Sequence, residues 1–199
     1  VNFDTALVNG SISVYGGTVN ITAVAGMVSS GTGDIWIQAN NATASALTVS
    51  SKIVKTGGAI SNITLRSAGQ ISNSNITANN AGGANVILWS EFGGNTTSGG
   101  ITNVGNITSN GGSIWIGGST SNGSLLWNNL TVGNGPSVGG TGAAGSNALA
   151  GIGTISSSGG DILLWAGAGN STGVTGIYGN SSSSITAGSG NITFIAPSI

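Results

Sequence analysis

GGDILLWAG, Gly159 to Gly167, decides how this chain is read, because nearly every other segment is a looser copy of it. The shape recurs as GGTVNITAV (16–24), GTGDIWIQA (31–39), GGANVILWS (82–90), GGSIWIGG (111–118) and GSGNITFIA (188–196). Each copy is a glycine corner followed by apolar, mostly β-branched residues that alternate with polar ones at period two, which is a strand pattern. The 38 glycines are scattered throughout, and no apolar stripe at helical spacing is present. The sequence therefore predicts an all-β chain built from one repeated unit.

Each unit reads as a short strand, a polar turn ending in glycine, and a second strand of about five to seven residues. Examples are ITSNGGSIWIGG (107–118), ISSSGGDILLWAG (155–167) and ITAGSGNITFIA (185–196). The first apolar residue of each unit falls at Ile12, Val28, Ile53, Ile76, Ile107, Ile155 and Ile185, at unequal intervals. A regular motif at irregular spacing is what a solenoid produces when its coils share strands and differ in loops. The expectation is a parallel β-helix of about eight coils, a rod on the order of 40 Å long at ~4.8 Å per strand. All 199 residues are read as a single solenoid domain, or as a segment of a longer repeat protein. The longest interval is expected to hide an extra coil at SLLWNNLTVGNG (124–135), followed by a protruding loop at about 136–151. A β-sandwich is the alternative, disfavoured because it needs hairpins with defined two-residue turns.

Alternation assigns the faces. Ile35 and Ile37, Val86 and Leu88, Ile114 and Ile116, Ile162 and Leu164, and Ile192 and Phe194 point inward; Asp34, Asn62, Arg66, Asp161 and Asn191 point to solvent. Trp36, Trp89, Trp115 and Trp165 break the polar rule of the outer face, together with Ile87 and Leu163. Either something roofs these residues, or they form an exposed interaction stripe that docks a partner, or they stack on sugars.

Composition excludes several classes of function. With three Lys plus Arg, four Asp plus Glu and a net charge of -1, no basic field is available for nucleic acid or an anionic membrane surface. There is no cysteine and no histidine, so disulfides, thiolate sites and Ser/His or Cys/His pairs are absent. No apolar run is long enough for a membrane-inserted helix. The carboxylates Asp4, Asp34, Glu91 and Asp161 stand apart in sequence, whereas glycosidases need a close pair. Asp34 and Asp161 share a repeat position but are expected roughly four coils, about 19 Å, apart. No catalytic residue, metal or cofactor is expected.

Asn-Xaa-Ser/Thr occurs twelve times, at Asn9, Asn20, Asn41, Asn62, Asn75, Asn95, Asn106, Asn122, Asn129, Asn170, Asn180 and Asn191. These are candidate N-glycosylation positions, with asparagine and threonine ladders between coils as the structural alternative. Five are Asn-Ile-Thr, where alternation buries the Ile and turns Asn and Thr outward.

The repeated Gly-Gly-Asp/Asn/Ser-Ile-Xaa-Leu/Ile-Xaa-Ala pattern, as in GGDILLWAG and SGNITFIA, resembles the β-helical repeats of filamentous-haemagglutinin-type adhesins and related giant surface proteins of bacteria. The resemblance runs from about Ser11 to Ala196 and identifies a style of coil. It implies a right-handed parallel β-helix, export, and a rod that spaces or forms adhesive cell-surface fibres. It transfers no functional residue, and the tryptophan content and sequon density depart from it.

The expected function is therefore a non-catalytic, extracellular or cell-surface structural protein that self-associates into a homopolymer by end-to-end and lateral contacts. The apolar segments Val1–Leu7 and Ile192–Ile199 carry no polar capping helix, which favours end-to-end stacking. The alternative is a carbohydrate-binding or adhesive module that meets surface glycans through its outward tryptophans. An ice-binding face ranks third, against which the irregular spacing counts. The start at Val1 suggests processing or excision from a longer polypeptide.

Overall fold

The computed structural model describes residues 2–3, 6–8, 10–22, 26–94, 99–139, 147–167 and 176–197, the first two groups by their backbone alone. The described chain is all-β and mostly parallel. One sheet has seven strands, each parallel to its neighbours: β3 (Ile12–Gly16), β6 (Ile35–Ala39), β9 (Ser61–Ser67), β12 (Ala84–Trp89), β15 (Ile114–Gly117), β19 (Ile162–Trp165) and β21 (Ile192–Ile195). A twelve-stranded sheet contains two ladders. The first runs β1 (Asn2–Phe3), β4 (Val19–Ile21), β7 (Leu47–Val49), β10 (Ile71–Ser72), β13 (Ile101–Thr102) and the front of β18 (Leu149–Ser156). The second runs β2 (Ala6–Val8), β5 (Met27–Ser29), β8 (Lys52–Lys55), β11 (Asn75–Ala78), β14 (Gly105–Thr108) and the rear of β18, with β20 (Ile177–Thr186) beyond it. No helix among the described residues is long and apolar enough to cross a membrane.

The chain visits the three ladders in turn, an order compatible with a β-solenoid. Partners on the seven-stranded sheet follow one another 23, 28, 23, 28, 48 and 30 residues apart, from Ile12 through Ile35, Ile63, Val86, Ile114 and Ile162 to Ile192. Pairing is in register at every step, so the inward residues stack as columns. Ile35, Ile37, Val86, Leu88, Ile114, Ile116, Ile162 and Leu164 are all fully buried, as alternation predicts.

Two expectations about the repeat need correction. Ile53, Ile76, Ile107, Ile155 and Ile185 do form one column, but Met27 rather than Val28 is their counterpart, and Ile12 belongs to the other sheet. Met27 is buried and Val28 only half-buried; an unbranched residue at the inward position disguised the register. The longest interval adds no further strand to the parallel ladders among the described residues, since β15 pairs directly with β19 and β14 with β18. It holds an antiparallel hairpin, β16 (Ser124–Trp127) and β17 (Leu130–Gly133), outside the parallel ladders. Asn128 and Asn129 link its strands with φ of 48° and 62°, the left-handed pair that a two-residue type I′ turn demands and asparagine tolerates. The stretch expected as a protruding loop includes residues 140–146, outside the described residues, but its final residues are strand, since β18 starts at Leu149.

The glycine corners have a steric cause. A Cβ on Gly112, Gly160 or Gly190 would lie 2.2 Å from the carbonyl oxygen of Ala84, Gly112 or Gly160 respectively, in the preceding turn of chain. These positions stand two residues before Ile114, Ile162 and Ile192, so one backbone rests directly on the next. The recurrent Gly-Gly of the sequence marks that contact.

Candidate functional site

The outer face of the seven-stranded sheet gathers most of the chemistry. Register places Trp36, Thr64, Ile87, Trp115 and Leu163 in one column, and Gln38, Arg66 and Trp89 in the next outward one. The hairpin β16–β17 folds over this face, and Ile87, Trp89, Trp115 and Leu163 join Leu130 and Val132 in a second hydrophobic cluster. Phe92, Leu125, Trp127 and Trp165 pack at its margin. An exposed stripe through these residues is thus corrected: Trp115 is fully buried, Ile87, Trp89 and Leu163 are buried, and only Trp36 and Trp165 stay half-exposed. A two-stranded hairpin is marginal alone in water, so the hairpin and the tryptophans stabilise one another.

Arg66, expected as a solvated residue, is packed among rings. Its guanidinium carbon lies 3.8 Å from the centroid of Phe92, 4.8 Å from that of Trp36 and 5.1 Å from that of Trp89. It donates to Gln38 Oε1 at 2.6 Å and 3.2 Å, and Trp36 Nε1 donates to the same oxygen at 3.2 Å. Burial lowers the tendency of Arg66 to carry its proton.

Along the edge of the same sheet runs a polar column. Asp34 Oδ1 accepts the Asn62 backbone N–H at 2.8 Å, Asn85 Oδ1 that of Ser113 at 2.9 Å, and Asp161 Oδ1 that of Asn191 at 2.8 Å. Asn85 Nδ2 also donates to Asn62 Oδ1 at 3.0 Å. Asn128, at the hairpin tip, donates to Asp161 Oδ2 at 2.8 Å and so fastens the hairpin to the column. The Asn191 backbone donor, then the Asn128 amide, holds the Asp161 carboxyl below its usual range. A second column passes from Asn75 Oδ1 to the Asn106 N–H at 3.2 Å and from Asn106 Oδ1 to the Thr154 N–H at 2.8 Å.

Between Asp34, at the head of the first column, and the hairpin tip lies a groove of about 240 Å³, with Trp36, Asn62, Asn129 and Thr131 also around it. Its hydroxyl and carboxamide groups could meet a polar ligand while the indole offers an apolar surface. No family model, curated protein or solved structure matches the chain. The chemistry of this outer face is therefore what speaks to function.

The sequons are spread over the molecule. Asn41, Asn106, Asn122, Asn129, Asn180 and Asn191 are exposed, and Asn20, Asn62 and Asn75 half-buried; Asn9, Asn95 and Asn170 lie outside the described residues. Ile21, Ile63, Ile76 and Ile107 of the Asn-Ile-Thr triplets are fully buried, while Ile192 on β21 is exposed. Asp4 lies outside the described residues. Asp34 and Asp161 sit four strands apart in the sheet, about 19 Å at ordinary strand spacing. Among the described residues no three His, Cys, Asp or Glu side chains come together to hold a metal.

Two buried ionisable groups escaped the sequence reading. Lys55 continues the inward alternation of Ile53 in β8, and its ammonium donates to Gly31 O, to Gly33 O at 2.9 Å and to Ser29 Oγ at 3.2 Å. Burial lowers its pKa, partly opposed by the nearby Asp34 carboxylate. Glu91 is fully buried at φ 58°; its Oε2 accepts the Val138 N–H at 2.9 Å, and Oε1 has no partner among the described residues. Burial pushes its pKa up to about 8, against the smaller opposing effects of the Val138 and Ser90 hydrogen bonds. Folded protein therefore holds this proton while unfolded chain, titrating near 4.3, has lost it. Stability is highest below about pH 4 on this account and falls as pH rises through 8, by on the order of 5 kcal/mol. Urea unfolding across that window should show the decline in the native chain and a flat profile in Glu91→Gln, which keeps the neutral shape.

Proposed function

We propose that the chain is a structural segment of a right-handed parallel β-solenoid, a non-catalytic element of an extracellular filament or adhesin stalk that extends by stacking on further copies of itself. The observation that supports this most directly is the edge of β21. Ile192 and Phe194 continue the inward columns, yet each is 41% exposed, whereas their partners Ile162 and Leu164 are fully buried. Such an edge offers unpaired backbone groups and a bare apolar column to a strand of matching register. At the opposite edge of the sheet, β3 carries Ile12 and Val14 at the corresponding alternation, both of them buried. A net charge of -1 opposes this association very little. Leu126, 75% exposed on the hairpin, is the best candidate for lateral contact.

Phe194→Asp should place an unpaired charge on that column and hold the protein as short particles. Electron micrographs and light scattering of concentrated wild type should show elongated polymers. Monodisperse wild type under the same conditions, or polymers that persist in Phe194→Asp, would count against the reading.

A further inference from the structure

We propose that the groove between Asp34 and the hairpin tip is a saccharide site that takes one pyranose ring of a neutral glycan. A sugar ring asks for two things at once: an apolar surface for its C–H face, and side chains that both donate to and accept from its hydroxyls. Trp36, Ile87 and Leu130 supply the first, and Asp34, Asn62, Asn129 and Thr131 the second. The volume, about 240 Å³, is below the roughly 300–1,000 Å³ of pockets for drug-sized ligands and suits a single ring.

Half of the rim is fixed before any ligand arrives. Asp34 and Asn62 are held by their mutual hydrogen bonds at 2.8 Å and 3.3 Å, and Trp36 is held through Gln38 and Arg66. Preorganisation of that kind reduces the ordering cost of binding. The rest of the rim is unspent: the side chains of Asn129 and Thr131 make no hydrogen bond among the described residues. One carboxylate and no cationic side chain line the groove, which disfavours phosphates and acidic sugars.

Two Asn-Xaa-Thr triplets, Asn62-Ile63-Thr64 and Asn129-Leu130-Thr131, bring both their Asn and both their Thr residues to this one groove. The same ligand chemistry can therefore arrive from two sources: a glycan of another molecule, or one attached to Asn129 of this chain.

Protein produced without N-glycosylation would be titrated by calorimetry with tetrasaccharides of glucose, galactose, mannose and N-acetylglucosamine. At least one should bind at millimolar concentration or better. Asn129→Gly keeps a residue that tolerates the left-handed turn and removes the carboxamide; it should weaken binding about tenfold, as should Thr131→Val, while Trp36→Ala should abolish it. Thermal unfolding of the first two variants confirms that the hairpin is intact. Absence of binding by all four sugars overturns the proposal, as does binding that Asn129→Gly and Thr131→Val leave unchanged. Repeating the titration on N-glycosylated protein separates the sources: binding lost there assigns the groove to the chain's own glycan, and binding retained assigns it to a foreign one.

Discussion

Trp115→Ala is expected to cost about 3–5 kcal/mol in urea unfolding, because it empties the centre of the outer hydrophobic cluster. The indole is fully buried, and Gly117 leaves room for it: a Cβ there would come within 2.8 Å of the ring. Trp115 also lies in register with Ile87 on one side and Leu163 on the other, so its loss opens a void beneath the hairpin that neither can close. Hydrogen exchange should speed up in β16 and β17 first, because the hairpin depends on that surface while the parallel ladders do not. Trp115→Phe gives the control. The indole N–H has no hydrogen-bond partner among the described residues, so Phe removes an unpaired buried donor as well as some volume and should cost well under half as much. Equal losses for Ala and Phe would mean that the six-membered ring that Phe retains contributes nothing to the packing under the hairpin, which would count against this account.

Gly160→Val should destabilise by about 3 kcal/mol or more, with the midpoint shifted at an unchanged denaturant slope. The added Cβ would meet the Gly112 carbonyl at 2.2 Å, an approach to backbone that rotamer changes cannot relieve. The next turn of chain rests on Gly160 in the same way through Gly190, so any local shift is passed along the stack. Gly10→Val is the matched test, since a Cβ at Gly10 has nothing within 4 Å. A Cβ at Gly10 should be neutral or slightly stabilising, since it lowers the entropy of the unfolded chain, so similar losses at both positions would count against the close approach of backbones as the reason for the glycine corners.

Much of the fold was legible in the sequence because its two governing patterns are local. Period-two alternation assigned Ile35, Val86, Ile114 and Ile162 inward, and the glycine corners located the turns. The polar column was partly legible, since Asp34, Asn62, Asp161 and Asn191 were assigned to one outer face by the same rule. What covers Trp89 and Trp115 was harder to read. SLLWNNLTVG has the same composition as a strand of the repeat, and only Asn128-Asn129 distinguishes it, as a two-residue turn whose left-handed backbone asparagine tolerates. Lys55 could have been found, since it sits two residues after the inward Ile53. Glu91 could not, because its burial depends on Gly99, Gly118 and Val138, distant segments that close around it. The groove is of the same kind: Asp34 and Asn129 meet only because the hairpin folds back over the sheet.

The unequal returns of the chain to the seven-stranded sheet also set how the molecule would yield to force. Pulled along the stack, the in-register strands bear the load through hydrogen bonds that lie parallel to it, so they separate a single ladder step at a time. Each separation frees the intervening chain: about 80 Å for a return of 23 residues, and about 170 Å for the return of 48 that contains the hairpin. The hairpin is thus a reserve of length stored at one point of the ladder, held shut by the tryptophans beneath it.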